Sequence, residues 1–541
     1  AQNPAHFVEV FGVTATALSR RFVSQAPPPF ARAAGLRQTC RGRLPLRQNP
    51  LRPAIVNHRK ESSFLFLTRA SCDMTQLTTT ERFLRLFTEV KPGEGSTALM
   101  MFANVFLILL AYYFIKPLRE GWIAISDIQG LSKMEVKAYS SFAQSIILLF
   151  VVGWYARLSE RWDRITLFTR ATLFCISNMV IFWFLQPNFF LEQLPLSGII
   201  YYLWVGMFGV FVVAQFWTFC ADIYTDERGK RMLPFIAVGA TAGAAAGSWL
   251  VDRLVDSGLV PTEALLLVAT APLVVSILLV RRVDRQLGQR SEVDKTMAPA
   301  KSSPDTEELR ETSIWSGARL VLVSRFLLLA ALVTLFTNWV NTNGENLLFR
   351  VVQENLAEQA QGQGLTGGRE LLAFVRDGTT AFYGNFYFWV NSVALLLQAF
   401  VASRLLKYGG FAAILLILPV IALTSYTVMA LLPILAIVKM MKVAENATDY
   451  SLNNTSRHVL WLPVSSAMKF HGKPAIDTLY VRLGDGLAAI TVLIGVHVLA
   501  LATNQFFLFN VFLVLCWLVA GVLLVREHRR ASDAASREGI A

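Results

Sequence analysis

Lys439, Lys442, Glu445 and Asp449 stand three and four residues apart inside an otherwise apolar run, 433–453. On a helix turning about 100° per residue the four share an arc of roughly 120° with Asn446 and Asn453. Ionisable groups at membrane depth cost at least about 2.5 kcal/mol each, so such a stripe must face a bundle interior or a water-filled path. The cations suit an anionic ligand, and guanidinium forks bind phosphate or carboxylate in pairs. The carboxylates could hold the cations apart between cycles or take up protons. The competing reading is an internal ion-pair network in which Lys439 and Lys442 neutralise Glu445 and Asp449.

Smaller versions recur. Thr334, Asn338, Asn341 and Glu345 step by four, three and four, again one helix face. Lys116, Arg119 and Glu120 flank Pro117, which removes a backbone hydrogen bond and is expected to break the helix there. Arg482 and Asp485 fall inside another apolar run, and Lys473 and Asp477 stand just before it. The candidate substrate-binding set is therefore Lys116, Arg119, Asn341, Glu345, Lys439, Lys442, Glu445, Asn446, Asp449, Lys473 and Arg482. Glu120, Asp477 and Asp485 are candidates for proton coupling or gating.

The elements that must position these groups follow from composition. Of 541 residues, 54% are hydrophobic and 16% charged, against about 25% charge in soluble domains. The apolar residues gather into runs of about 20, the length that crosses a bilayer. The expected fold is an all-α membrane protein of twelve transmembrane helices in two six-helix pseudo-repeats, major-facilitator-like. The spans are expected at 98–115, 138–158, 166–185, 198–220, 233–251, 263–280, 325–342, 381–402, 411–431, 433–453, 478–500 and 506–525. Residues 98–280 would form the first bundle, 281–317 a charged cytoplasmic linker, 318–525 the second bundle and 526–541 a cytoplasmic tail. Arg157 and Arg404, each just after a span, are a weak trace of the repeat. Gly239, Gly243 and Gly247 form a small-residue seam suited to close helix packing.

Residues 1–73 carry eleven Lys and Arg against Glu9, Glu61 and Asp73. They read as untranslated sequence upstream of a start at Met74, or as a targeting segment. Residues 74–97 read as a cytoplasmic segment with a short interfacial helix carrying Phe83, Leu84, Leu86, Phe87 and Val90. Arg157, Arg161, Arg164, Arg228, Lys230, Arg231, Arg404, Lys407, Arg457, Lys469 and Lys473 would all lie on one side. The positive-inside rule then places both termini in the cytoplasm. The expected location is a bacterial inner membrane, or an organelle membrane should residues 1–73 be a transit peptide. Five cysteines lack ligand spacing, and neither a GxxxxGK[ST] loop nor an HExxH motif occurs. No cofactor, metal or catalytic residue is expected, and the chain does not read as an enzyme. The net charge of +13 needs no nucleic-acid partner. The expected partners are the lipid bilayer and a small anion, the chain acting as a monomer.

Lys442-Val443-Ala444-Glu445-Asn446-Ala447-Thr448-Asp449-Tyr450-Ser451-Leu452 and Gly472-Lys473-Pro474-Ala475-Ile476-Asp477 resemble the ATP/ADP translocase family of plastids and intracellular bacteria. Phe216-Trp217, Gly229-Lys230-Arg231 and Gly384-Asn385-Phe386 extend the likeness over most of 98–525. The resemblance implies a branch of the major-facilitator fold that exchanges ATP for ADP without hydrolysis. It implies functional roles for Lys473 and Glu345, which match family positions. Arg119 stands nearest the family's basic residue after span one. Arg228, with Glu227 beside it, stands where the family has a glutamate. These departures fit the broader bacterial translocase-like group. Alternatives are a major-facilitator-like transporter of another organic anion, with or without proton coupling, and a non-transporting scaffold or sensor.

Overall fold

The computed structural model describes residues 79–85, 90–91, 93–185, 196–224, 226–295, 314–465 and 468–537. They divide into two units between Ser96 and Thr97. In the smaller, a short helix, α1, spans Thr79–Leu84. A turn follows in which the Arg85 Nε donates to the Val90 carbonyl at 3.1 Å. Residues 1–73, Leu86 and Phe87 lie outside the described residues.

From Thr97 onward the described chain is helical throughout. In hydrocarbon every backbone polar group must be satisfied within its own segment, which leaves a chain of long apolar runs no alternative but helices. These are α2 (Gly95–Ala124), α3 (Lys133–Arg161), α4 (Arg164–Leu185), α5 (Ser197–Ile223), α6 (Asp226–Ser257) and α7 (Thr270–Lys295). After the charged stretch come α8 (Ile314–Val323), α9 (Arg325–Gly362), α10 (Gly368–Leu396), α11 (Ala402–Leu431), α12 (Leu435–Thr448), α13 (Asn454–Leu460), α14 (Val481–His497) and α15 (Thr503–Arg537). Ten helical stretches among the described residues are long and apolar enough to cross a membrane. The longest, Gly368–Leu431, joins α10 to α11. Gly410, at φ 65°, interrupts it where the sequence places a turn.

Three departures from the expected boundaries bear on function. Pro117 does not end α2, which continues to Ala124. A missing hydrogen bond is tolerated where neighbouring helices enclose the segment. Lys116, Arg119 and Glu120 are thereby carried on a helix and buried. The connection that follows is correspondingly short. α3 starts at Lys133 through a capping box, Glu135 N donating to Ser132 Oγ at 3.4 Å and Ser132 N to Glu135 Oε2 at 2.8 Å. The third departure is in the charged stripe. After Thr448 the helix widens into a π turn, Asp449–Asn453, before α13 resumes. The widened turn shifts the residues that follow Asp449 relative to Lys442 and Glu445, and such bulges concentrate at functional sites.

The glycine seam packs α6 directly on the backbone of α2. A Cβ on Gly243 would stand 2.8 Å from Phe106 Cα, and one on Gly247 2.6 Å from the Leu110 carbonyl oxygen. The helices before and after the charged stretch also meet. α10 lies along α6, and α14 and α9 along α3. That junction, rather than either group alone, assembles the site.

Candidate functional site

α2 and α3 bring two cations onto one carboxylate and leave a third, Lys116, without an ion pair. Arg119 donates to Glu120 Oε1 through Nε at 3.1 Å and Nη2 at 2.5 Å. Lys137 Nζ holds Glu120 Oε2 at 2.9 Å. Lys116 has no such acceptor. Its amine rests 4.0 Å from the centroid of the Tyr387 ring and 5.0 Å from that of Tyr113. Cation–π attraction substitutes for an ion pair there. All four charged side chains are at most 2% exposed.

α9 and α12 bring two carboxylates to one cation. Lys442 Nζ lies 3.0 Å from Glu445 Oε2, 3.4 Å from Asn341 Oδ1 and 4.0 Å from Glu345 Oε1. Tyr426 of α11 donates to Glu445 Oε1 at 3.0 Å, and Asn446 Nδ2 donates to Glu345 Oε1 at 2.6 Å. Gly344 permits this convergence, since a Cβ there would meet Lys442 Nζ at 2.9 Å. Glu345, Lys442, Glu445 and Asn446 are all buried.

Lys137 stitches the two groups together. Its amine also donates to the Glu345 carbonyl and to the Tyr383 hydroxyl, each at 3.4 Å. The result is a continuous buried polar cluster across the junction. Buried polar atoms are nearly always hydrogen-bonded, so exceptions point to function. Here Lys116 Nζ, Arg119 Nη1, Glu345 Oε2, Asn446 Oδ1, Asn346 Nδ2 and the Tyr387 hydroxyl have no hydrogen-bond partner. Such a concentration of unsatisfied groups in one buried cluster suits a polar ligand that would complete them.

The other candidates make contacts elsewhere. Lys439 donates to Asn385 Oδ1 at 2.6 Å, and Asn385 Nδ2 donates to Asp252 of α6 at 2.9 Å. Lys439 and Lys442 thus serve different neighbours, although they lie on one helix face. Asp485 accepts from Arg482 at 3.1 Å, Ser145 of α3 at 2.7 Å and Thr342 of α9 at 2.8 Å. An arginine and two hydroxyls make this carboxylate a joint between helices. Asp449 accepts from Asn453 at 2.7 Å, and Lys473 stands 4.0 Å from Asp477. The side chain of Glu227 lies outside the described residues.

Lys137, Tyr383, Tyr387 and Tyr426 are the members that sequence reasoning omits. Lys137 falls in the stretch assigned to a loop, and the tyrosines sit in apolar runs where an aromatic ring is unremarked. The one available signal is the spacing of Tyr383 and Tyr387, which places both on the face of α10 that carries Asn391.

Among known families, the model described as TLC ATP/ADP transporter matches residues 375–528, which include α11, α12, Lys442, Glu445 and Asn446. An ADP,ATP carrier protein 5 from Rickettsia felis is 20% identical over 471 residues, covering 76% of this chain and 88% of the relative. The chain is thus similar to ATP/ADP carriers, through this matched segment and through a distant relative aligned over most of its length. ADP,ATP carrier protein 1 of Chlamydia trachomatis is 24% identical over 187 residues. The match spans about a third of that relative's length, 34%, and covers 29% of this chain. Two solved structures share the fold. The nucleoside transporter NupG superposes with a TM-score of 0.54 at 10% identity, covering 79% of this chain and 99% of NupG. A POT family transporter in complex with 5-aminolevulinic acid gives 0.50 at 12% identity, covering 81% and 97%. The Lys442–Glu445–Asn446 cluster lies within the segment matched by the TLC ATP/ADP transporter model.

Proposed function

We propose that this chain is a member of the ATP/ADP translocase family and a secondary-active transporter that exchanges nucleotides of the ATP/ADP type by alternating access. The chain would cross the membrane twelve times, in two groups of six. The first group is α2 to α7. The second is α9, α10, α11, the α12–α13 pair, α14 and α15, with Gly410 marking the turn between the two crossings joined in Gly368–Leu431. Arg157, Arg161, Arg164, Arg404 and Lys407 would then lie on the cytoplasmic side of a bacterial inner membrane, with both termini.

The observation that carries this reading is the buried cluster at the junction of the two helix groups. Its unpartnered Lys116 amine and Arg119 Nη1 are donors suited to phosphate oxygens. A cluster shared between helix groups that rock against each other would be remade on every cycle, as a transported ligand requires. The substrate set in this reading centres on Lys116, Arg119, Asn341, Glu345, Lys442, Glu445 and Asn446. Lys439, Asp449, Lys473, Asp477, Arg482 and Asp485 serve packing or gating.

Ligand stabilisation tests the substrate class. Binding to the folded state alone raises stability by about 2.7 kcal/mol at a ligand concentration one hundred times Kd. ATP and ADP are expected to raise the unfolding temperature of the purified full chain, and dicarboxylates and sugar phosphates are not. A shift with another organic anion and none with nucleotides would replace the nucleotide reading with that anion.

A further inference from the structure

The unsatisfied atoms of the cluster are not distributed evenly. On α2 they belong to Lys116 Nζ and Arg119 Nη1, cationic groups that can only donate. On α9 and α12 they include Glu345 Oε2 and Asn446 Oδ1, which can only accept. Charge leans the same way. Arg119 and Lys137 both pair with the single carboxylate Glu120, whereas Lys442 pairs with both Glu345 and Glu445. The α2 end therefore offers only donors, and the α9–α12 end offers two acceptors beside one donor, Asn346 Nδ2.

We infer that the site holds its nucleotide in one fixed direction, with the phosphates on Lys116 and Arg119 of α2 and the hydrogen-bond donors of the nucleoside on Glu345 and Asn446. This rests on the nucleotide reading above and specifies which residues select which part of the ligand. The phosphate chain supplies only acceptors at neutral pH. The ribose hydroxyls and the exocyclic amine of adenine are the ligand's donors. The reverse orientation would set phosphate against two carboxylates and leave the α2 cations without an anion. Glu345 is fixed for its task, because Asn446 Nδ2 occupies Oε1 and leaves Oε2 as the free acceptor. Glu345→Gln would keep its carbonyl oxygen on Asn446 and so present an amino group where Oε2 stood.

Competition against labelled ATP on the purified full chain reads both ends separately. One ladder is ATP, ADP and AMP. The other compares ATP with 2′-deoxy-ATP, 3′-deoxy-ATP and inosine triphosphate, so that loss of a hydroxyl and loss of the amine are told apart. Lys116→Gln is expected to compress the phosphate ladder by about tenfold and leave the second ladder as in the wild type. Glu345→Gln and Asn446→Ala are expected to do the opposite, compressing the preference for whichever donor they meet by about tenfold. Should Lys116→Gln fail to fold, Arg119→Lys reads the same end. Compression of both ladders by each variant, or an unchanged phosphate ladder in Lys116→Gln, would overturn the fixed orientation. A folded wild-type protein that binds none of the probes would overturn the nucleotide reading itself.

Discussion

Replacing Lys442 with alanine is expected to abolish nucleotide exchange and to lower stability together. The amine is fully buried and lies between two carboxylates, 3.0 Å from Glu445 and 4.0 Å from Glu345, with Asn341 at 3.4 Å. Removing it leaves both carboxylates without their cation in a medium that solvates charge poorly. Breaking a buried pair in this way costs about 3–5 kcal/mol. The loss of transport is separable from the loss of stability. In Lys442→Ala/Glu445→Gln the unpaired charge is largely removed, so the unfolding temperature is expected to recover in part while exchange stays absent. Thermal unfolding of the purified variants beside their transport rates checks both halves. Recovery of exchange in the double variant would mean that Lys442 only neutralises Glu445.

Glu120→Gln carries the second large effect. Glu120 holds Arg119 through one oxygen and Lys137 at 2.9 Å through the other, all three side chains being buried. Neutralising it strands two cations, again at a cost of about 3–5 kcal/mol. Removing one of those cations as well should give part of it back. In a double-mutant cycle with Lys137→Met the two changes are expected to be non-additive, with a coupling of about 1–3 kcal/mol. Because Lys137 also reaches the Glu345 carbonyl and Tyr383, the single Lys137→Met change frees the two helix groups from one another at this point. Chemical unfolding of the four proteins measures the cycle. Additive effects would show that Glu120 and Lys137 act independently although they stand 2.9 Å apart.

The apolar runs and the ionisable residues within them were legible before any coordinates. Lys442, Glu445 and Asn446 share a helix face by spacing alone, and Glu345 follows from the stepping of Thr334, Asn338 and Asn341. What single-helix reasoning could not reach is where helices meet. Hydropathy ends a span where charge begins, so Lys116, Arg119, Glu120 and Lys137 were assigned to the end of a helix and a loop. Their burial depends on α9 and α10 closing over them, a fact about distant segments. The same limit explains Lys439. It shares a face with Lys442 but meets Asn385 from α10 at 2.6 Å, so one stripe serves two sets of partners. Asp449 keeps the helical register, and the π turn that begins there shifts the residues after it, which a helical wheel drawn at 100° per residue does not contain.

Counterflow tests the central claim most directly. Proteoliposomes carrying the full chain would be loaded with unlabelled ADP, and accumulation of labelled ATP followed over time. The account predicts accumulation that requires internal ADP and is absent with Lys442→Ala. Folded wild-type protein that accumulates no ATP, or accumulates it equally without internal ADP, would contradict nucleotide exchange.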